Sequence, residues 1–191
     1  AIAQTFNGTQ AASSKVTATI ARNGDLIHKM YYTYKPSNLA TGNGTVGPNV
    51  GHTLLNEIEL EIGGQSIDKH YGHRLETWAE LTESNHNGAE GTIAAATTTT
   101  GTLFQRMAGM GGVIGAAANP ANLFIPLQFY FCRNPGLALP LIALQYHEVK
   151  IKVKFGTAAG LNDDGASTLA SNTGLWVDYI YLDTDERRRF A

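Results

Sequence analysis

The sequence holds a single cysteine, Cys132, which excludes an intrachain disulfide and any metal site built from several thiolates. It reads as a small buried hydrophobe at the end of a strand, because only Arg133 beside it would lower its pKa. Charge is scarce too. Charged residues make up 16% of the chain against 43% hydrophobic, below the usual quarter for soluble domains, so part of the exterior is expected to be covered by another surface. A net charge of -2 and a pI near 6.3 leave no electrostatic footprint for nucleic acid or an anionic membrane. No run approaches the roughly 18 apolar residues that span a bilayer, and the N-terminus lacks a signal-peptide pattern. The chain starts at Ala1 without a methionine, which reads as processing or excision from something longer.

Catalytic and cofactor motifs are missing as well. His70 and His73 are the one close pair among six histidines, and no H-x-H occurs, so the ligand set of a metal-binding cupin is absent. There is no G-x-S-x-G elbow and no H-E-x-x-H helix. The run Gly109-Met110-Gly111-Gly112-Val113-Ile114-Gly115 departs from G-x-G-x-x-G at its last position, and no strand feeds it, so it reads as flexible chain. Glu57, Glu59 and Glu61 repeat with a period of two, the solvated face of a strand instead of a carboxylate cluster. Neither a metal nor a cofactor is expected. Asn7-Gly8-Thr9 and Asn43-Gly44-Thr45 match the glycosylation pattern, in segments read as loops.

What is present is mostly strand. Val16, Ala18 and Ile20 alternate with polar partners, and Asn23-Gly24 reads as a tight reversal into a second strand over 26–34, rich in tyrosine. Residues 37–50 read as an exposed loop. The cleanest alternation runs over 54–62, with Gly63-Gly64 as a turn into a short strand over 65–71. Leu75, Trp78, Ala79 and Leu81 recur at helical spacing, giving the one clear helix. Residues 85–122 are Ala-, Thr- and Gly-rich and read as a surface insertion with a short helical patch over 103–110.

The segment 123–155 anchors the pattern. Leu123, Ile125, Leu127, Phe129 and Phe131 share one parity of an extended run. Asn134-Pro135-Gly136 turns the chain, and residues 141–145 suit one helical turn. Val149, Ile151, Val153 and Phe155 then alternate with lysines. The segment 156–174 is again small and polar. Residues 175–182 are apolar on both parities apart from Asp178, as in a strand covered on both faces. Asp183 and Glu186 sit in capping-box positions, followed by Arg187-Arg188-Arg189, which suits a helix dipole.

About seven strands without an alternating βα register give an all-β fold, an antiparallel jelly-roll sandwich with one helix and long loop insertions. A jelly roll has about eight strands, so one is unassigned or lies at a terminus. In such a roll the third and sixth of these strands are neighbours, which would set the Glu57, Glu59, Glu61 row against Lys150, Lys152 and Lys154 as cross-strand ion pairs.

Four stretches then carry a resemblance. They are Arg22-Asn23-Gly24-Asp25-Leu26; Glu59-Leu60-Glu61-Ile62-Gly63-Gly64-Gln65 with Ile67-Asp68-Lys69-His70-Tyr71-Gly72; Phe131-Cys132-Arg133-Asn134-Pro135-Gly136-Leu137-Ala138-Leu139-Pro140-Leu141; and Leu182-Asp183-Thr184-Asp185-Glu186-Arg187-Arg188-Arg189-Phe190-Ala191. In this order they closely resemble the major capsid proteins of the nucleocytoplasmic large DNA viruses. The resemblance implies a double jelly-roll protein of the virion shell, without enzymatic activity. It would form homotrimeric pseudo-hexagonal capsomers that meet neighbouring capsomers and minor capsid proteins, over an internal viral membrane touched only indirectly. Residues 1–191 would be one jelly-roll domain, the first of two, with 85–122 a variable loop insertion. Trp176 and Tyr179 fall on opposite strand faces, and one of them is the expected inter-domain or inter-subunit anchor. The alternatives are a minor capsid or penton protein of the same viruses, and a carbohydrate-binding jelly-roll module presenting Tyr31, Tyr32 and Tyr34.

Overall fold

The structure, a computed structural model, describes residues 1–34, 45–46, 49–84, 102–112, 117–118, 122–157 and 173–190. The first sheet orders β1 (Ile2–Gln4), β12 (Gly174–Ile180) and β4 (Leu26–Tyr34), with β9 (Leu123–Pro126) and β10 (Leu139–Pro140) sharing the far edge of β4. The second orders β2 (Phe6–Asn7), β3 (Lys15–Thr19), β11 (Val149–Phe155), β6 (Leu55–Ile62) and β7 (Gln65–Tyr71). A two-residue pair joins β5 (Thr45–Val46) to β8 (Ala117–Ala118). Every pairing is antiparallel.

The wrap is that of a jelly roll. Taking β1, β3, β4, β6, β7, the β9–β10 edge, β11 and β12 as strands one to eight, the first sheet reads 1-8-3-6 and the second 2-7-4-5. The eighth strand missing from the sequence pattern is β1, three residues at the N-terminus that pair Ile2, Ala3 and Gln4 with Val177, Trp176 and Leu175.

Alternation decides which side chains enter the core. Val16 and Ala18, Ile58 and Leu60, Val149, Ile151, Val153 and Phe155 from the second sheet meet Met30, Tyr32, Tyr34, Leu175 and Val177 from the first, all buried. Tyr32 links the layers, its ring 6.0 Å from Phe6 and 5.8 Å from Phe155, while its hydroxyl donates to Gln10 Oε1 at 3.0 Å. A bulge at His28, which has no partner on β12, shifts β4 so that Ile27 also points inward and faces Tyr179. Gly63 and Gly64 adopt φ of 59° and 86°, the two positive angles that a tight β6–β7 hairpin requires.

Several expectations change. Asn23-Gly24 is no hairpin, because β3 and β4 lie in opposite sheets and the chain turns a corner between them. Gly24 serves close packing instead, since a Cβ there would lie 2.6 Å from Tyr179 Cβ. The strand over 123–131 ends at Pro126, yet its parity persists: Leu127, Phe129 and Phe131 remain buried along extended chain and a 3-10 turn. Residues 141–147 form consecutive hydrogen-bonded turns, not a helix. Helix α2 (Gly72–Thr82) buries Leu75 and Ala79, but Leu81 is 78% exposed.

Three further helices accompany it among the described residues: α1 (Val50–Leu54), α3 (Leu103–Ala108) and α4 (Thr184–Phe190). The helical patch within the 85–122 segment is α3, and the chain after it is packed: Ala108 and Met110 are each 1% exposed. Most of the loops expected over 37–50 and 156–174, and of the remaining 85–122 insertion, lies outside the described residues apart from the backbone of β5 and β8; at the loop ends that are described, Val50 already opens α1 and Gly174 opens β12. Asn43 also lies outside the described residues.

Candidate assembly surface

The two sheets show very different outer faces. On the second, β11 pairs β6 in the register Lys150 to Glu61, Lys152 to Glu59 and Lys154 to Glu57, so the lysine and glutamate rows meet as expected. Lys152 contacts both Glu61 and Glu59, Lys69 contacts Glu57, and Lys150 reaches Glu148 at 2.9 Å. Lys69, Lys150 and Lys152 are each held above their ordinary pKa by a carboxylate, and Glu57 and Glu148 sit below theirs through Lys69 and Lys150. Such exposed pairs contribute only about 0.2–1 kcal/mol each, but together they make this a solvated, internally neutralised face.

The outer face of the first sheet carries an aromatic and apolar row, flanked by Lys29 and Asp178. The register sets Ala3 beside Trp176, Trp176 beside Tyr31 and Tyr31 beside Pro126, with Phe124 on the next row opposite Thr33. Trp176 is 40% and Phe124 42% exposed. Among the described residues, ion pairing on this face is confined to its flank, where the amino group of Ala1 lies 3.2 Å from Asp178. Partial burial and Asp178 push the Tyr31 phenol upward.

The two sequence-predicted anchors separate here. Trp176 points outward, whereas Tyr179 packs against the core and fastens the β3–β4 corner. Its hydroxyl donates to the Ala21 carbonyl at 2.6 Å and accepts from Gln4 Nε2 at 3.2 Å, and burial pushes its pKa up to about 12. Gln4 Oε1 accepts in turn from the Ala21 N–H at 2.9 Å. The tyrosines of β4 form no sugar platform: Tyr32 is fully buried and Tyr34 5% exposed, because their parity turns them inward.

Beside the aromatic row lies a cleft of about 380 Å³ between β4, α2 and the chain after β9. Arg133 lies over Trp78, its guanidinium carbon 4.5 Å from the ring centroid. Cys132 closes part of the floor, 9% exposed, and burial pushes its thiol up to about 12, so it packs as a hydrophobe and not as a nucleophile.

The far end of α2 carries a feature that the sequence pattern did not single out. Glu76 Oε1 accepts from the Gly111 and Gly112 N–H groups at 3.0 and 2.9 Å, and its Oε2 faces His52 Nδ1 at 3.3 Å. Burial alone would raise the Glu76 pKa, but His52 and the two amides outweigh it and hold the carboxyl below its ordinary value. Thr102 and Gln105 close a capping box at the start of α3, a T-x-x-Q signal visible in the sequence once the helix start is known. At the C-terminal end, Asp25 accepts from the Leu182 N–H at 2.8 Å and from Arg187 Nε and Nη2 at 3.1 and 3.0 Å, which lowers its pKa and ties α4 to the corner.

His70 is fully buried against Phe129, with ring centroids 4.7 Å apart, and its Nδ1 lies 2.8 Å from Arg74 Nη1. Arg can only donate there, so Nδ1 accepts and the ring is neutral; desolvation lowers its pKa in the same sense. His73 stacks on Tyr71 instead. Among the described residues no group of three metal-ligating side chains converges.

Comparison with known proteins identifies the kind of jelly roll this is. Residues 1–183 match the family model described as major capsid protein N-terminus. The chain belongs to this family. The major capsid protein of Pyramimonas orientalis virus is 48% identical over all of this chain and 46% of its own length. That of Paramecium bursaria Chlorella virus 1 is 39% identical over all of this chain and 41% of its own.

A solved chain of the PBCV-1 virus capsid superposes with a TM-score of 0.70 at 36% identity, covering this chain fully and 43% of its own length. The Faustovirus major capsid protein shares the fold, at a TM-score of 0.58. This capsid-protein chain therefore spans less than half the length of these curated relatives.

Proposed function

We propose that this chain is the first jelly roll of a major capsid protein in the icosahedral shell of a large DNA virus. It acts by burying surface between subunits and catalyses no reaction. The end-to-end match to capsid proteins at 48% identity carries this reading. Relatives more than twice as long supply room for a second roll, and the aromatic row around Trp176 is where that roll would seat. Covering that row leaves the Glu–Lys ladder on the opposite sheet facing water or a neighbour. Large obligate interfaces, often above about 2,000 Å², would then join three such polypeptides into a pseudo-hexagonal capsomer, in contact with neighbouring capsomers and minor capsid proteins.

Native mass spectrometry of the polypeptide purified from virions tests this directly. The expected result is a subunit at least twice the 20.5 kDa of this chain that travels as a trimer. A monomeric 20.5 kDa species would overturn the reading. For the anchor, Trp176→Glu should abolish trimer recovery while Tyr179→Phe, which keeps the ring inside, should not.

A further inference from the structure

The cleft beside the aromatic row has properties of its own. Its floor is apolar, with Met30, Leu127 and Cys132 buried, and its walls include Tyr31, Trp78 and Phe104. Three charged side chains line it: Lys29, Arg133 and Glu83. None of them makes an ion pair among the described residues, although Lys29 stands opposite Asp178 in the register of β4 and β12, so the lining itself carries two cations and one acid. The Arg133 guanidinium sits over the Trp78 ring, and its one hydrogen bond among the described residues is a long 3.5 Å contact from Nη2 to the Gln128 carbonyl. A guanidinium in cation–π contact with an indole still offers N–H donors in the fork that suits a carboxylate. Covering these cations without a counter-charge would cost free energy, and Glu83 neutralises at most one of them.

Position indicates the occupant. Tyr31 and Pro126 belong both to the cleft and to the outward row containing Trp176, so the two form one continuous surface. A unit tethered to the same chain and seated on Trp176 reaches the cleft at an effective concentration on the order of millimolar.

We propose that the cleft receives an acidic segment of the same polypeptide, from the second unit, with a carboxylate paired to Arg133 and Lys29 and an adjacent apolar side chain resting on Trp78 and Tyr31. This rests on the reading that a second unit follows the first. It adds the chemistry of the contact: an acid set beside an apolar side chain, recognised by an arginine seated over an indole.

The test places the photo-crosslinker p-benzoylphenylalanine at position 104 of the complete polypeptide and irradiates assembled capsomers. The expected product keeps the mass of one subunit, and peptide mapping locates the link in a segment beyond residue 191 that carries Asp or Glu. Arg133→Glu should reduce the yield of that product at least tenfold, and converting the mapped acid to Arg in the same chain should restore it. A link to a second copy of the chain, a link to a different protein, or no link would each overturn the proposal. Intact mass, measured first, separates the two claims. A subunit without a second unit removes the reading on which the proposal rests, whereas a full-length trimer with the link elsewhere removes the cleft assignment alone.

Discussion

Replacing Glu76 by alanine removes the acceptor that ties residues 102–112 to the α1–α2 end of the roll. The carboxylate side chain is 16% exposed and holds two backbone N–H groups at 3.0 and 2.9 Å. Hydrogen bonds to a charged partner contribute about 1.5–3 kcal/mol each, and partial solvent access favours the lower end, so the pair amounts to about 3 kcal/mol. If the segment opens locally, amide protection at Gly109, Gly111 and Gly112 should fall on the order of 100-fold, read by hydrogen-exchange mass spectrometry. Glu76→Gln keeps an acceptor oxygen but loses the charge, and should cost about 1 kcal/mol, less than tenfold in protection.

The pH dependence follows from the lowered pKa. A carboxyl whose folded pKa lies below its unfolded value near 4.5 gives its full stabilisation above 4.5 and loses it as pH falls through the lower folded value. The gap between wild type and Glu76→Ala should therefore hold from neutrality to about pH 4.5 and close below it. Unchanged exchange in the alanine variant, or loss spread evenly over the sheet amides, would refute the latch.

Three other outcomes are expected. Gly51→Ala should displace α3 and sharply lower the thermal midpoint, because a Cβ at Gly51 would lie 2.1 Å from the Ala108 carbonyl oxygen; a midpoint within a degree or two of wild type would contradict that close approach. Lys152→Glu should cost about 1–2 kcal/mol in chemical denaturation, by losing contacts to Glu59 and Glu61 and adding like charge, and Glu61→Lys in the same chain should recover part of it. Cys132 should resist a thiol reagent at pH 8 in the folded protein and react fully once unfolded, since its thiol is buried and pushed up to about 12; rapid native labelling would show that the cleft floor is open.

Much of the fold was legible because a period of two encodes strand faces. The Glu57, Glu59, Glu61 and Lys150, Lys152, Lys154 rows announced both their strands and, through jelly-roll topology, their adjacency. Even where the strand over 123–131 stopped at Pro126, burial of Leu127, Phe129 and Phe131 followed the predicted parity, because extended chain alternates with or without a ladder partner. Strand β1 was invisible for the opposite reason: three residues are too few to show a period. Asn23-Gly24 misled because turn chemistry reports a change of direction, not which sheet the next strand joins. Glu76 gave no signal, since its partners Gly111 and Gly112 lie about 35 residues away and meet it only after the roll closes.

The sequence by itself determined most of the inward set of strand side chains, the antiparallel sandwich and the kinship with viral capsid proteins, all of which rest on local alternation and on motifs in fixed order. It could not decide between Trp176 and Tyr179, or between the two outer faces, because outward positions alternate alike on every strand. Tertiary structure decided which of the two side chains points outward and which outer face carries the charge. The bulge at His28 sets Ile27 opposite Tyr179 in the core, pairing β11 with β6 neutralises one face, and pairing β12 with β4 and β1 gathers Trp176, Tyr31 and Pro126 into an uncovered row on the other. Cross-strand neighbours are separated by tens of residues along the chain, so which charges cancel and which aromatics gather depends on sheet order and register.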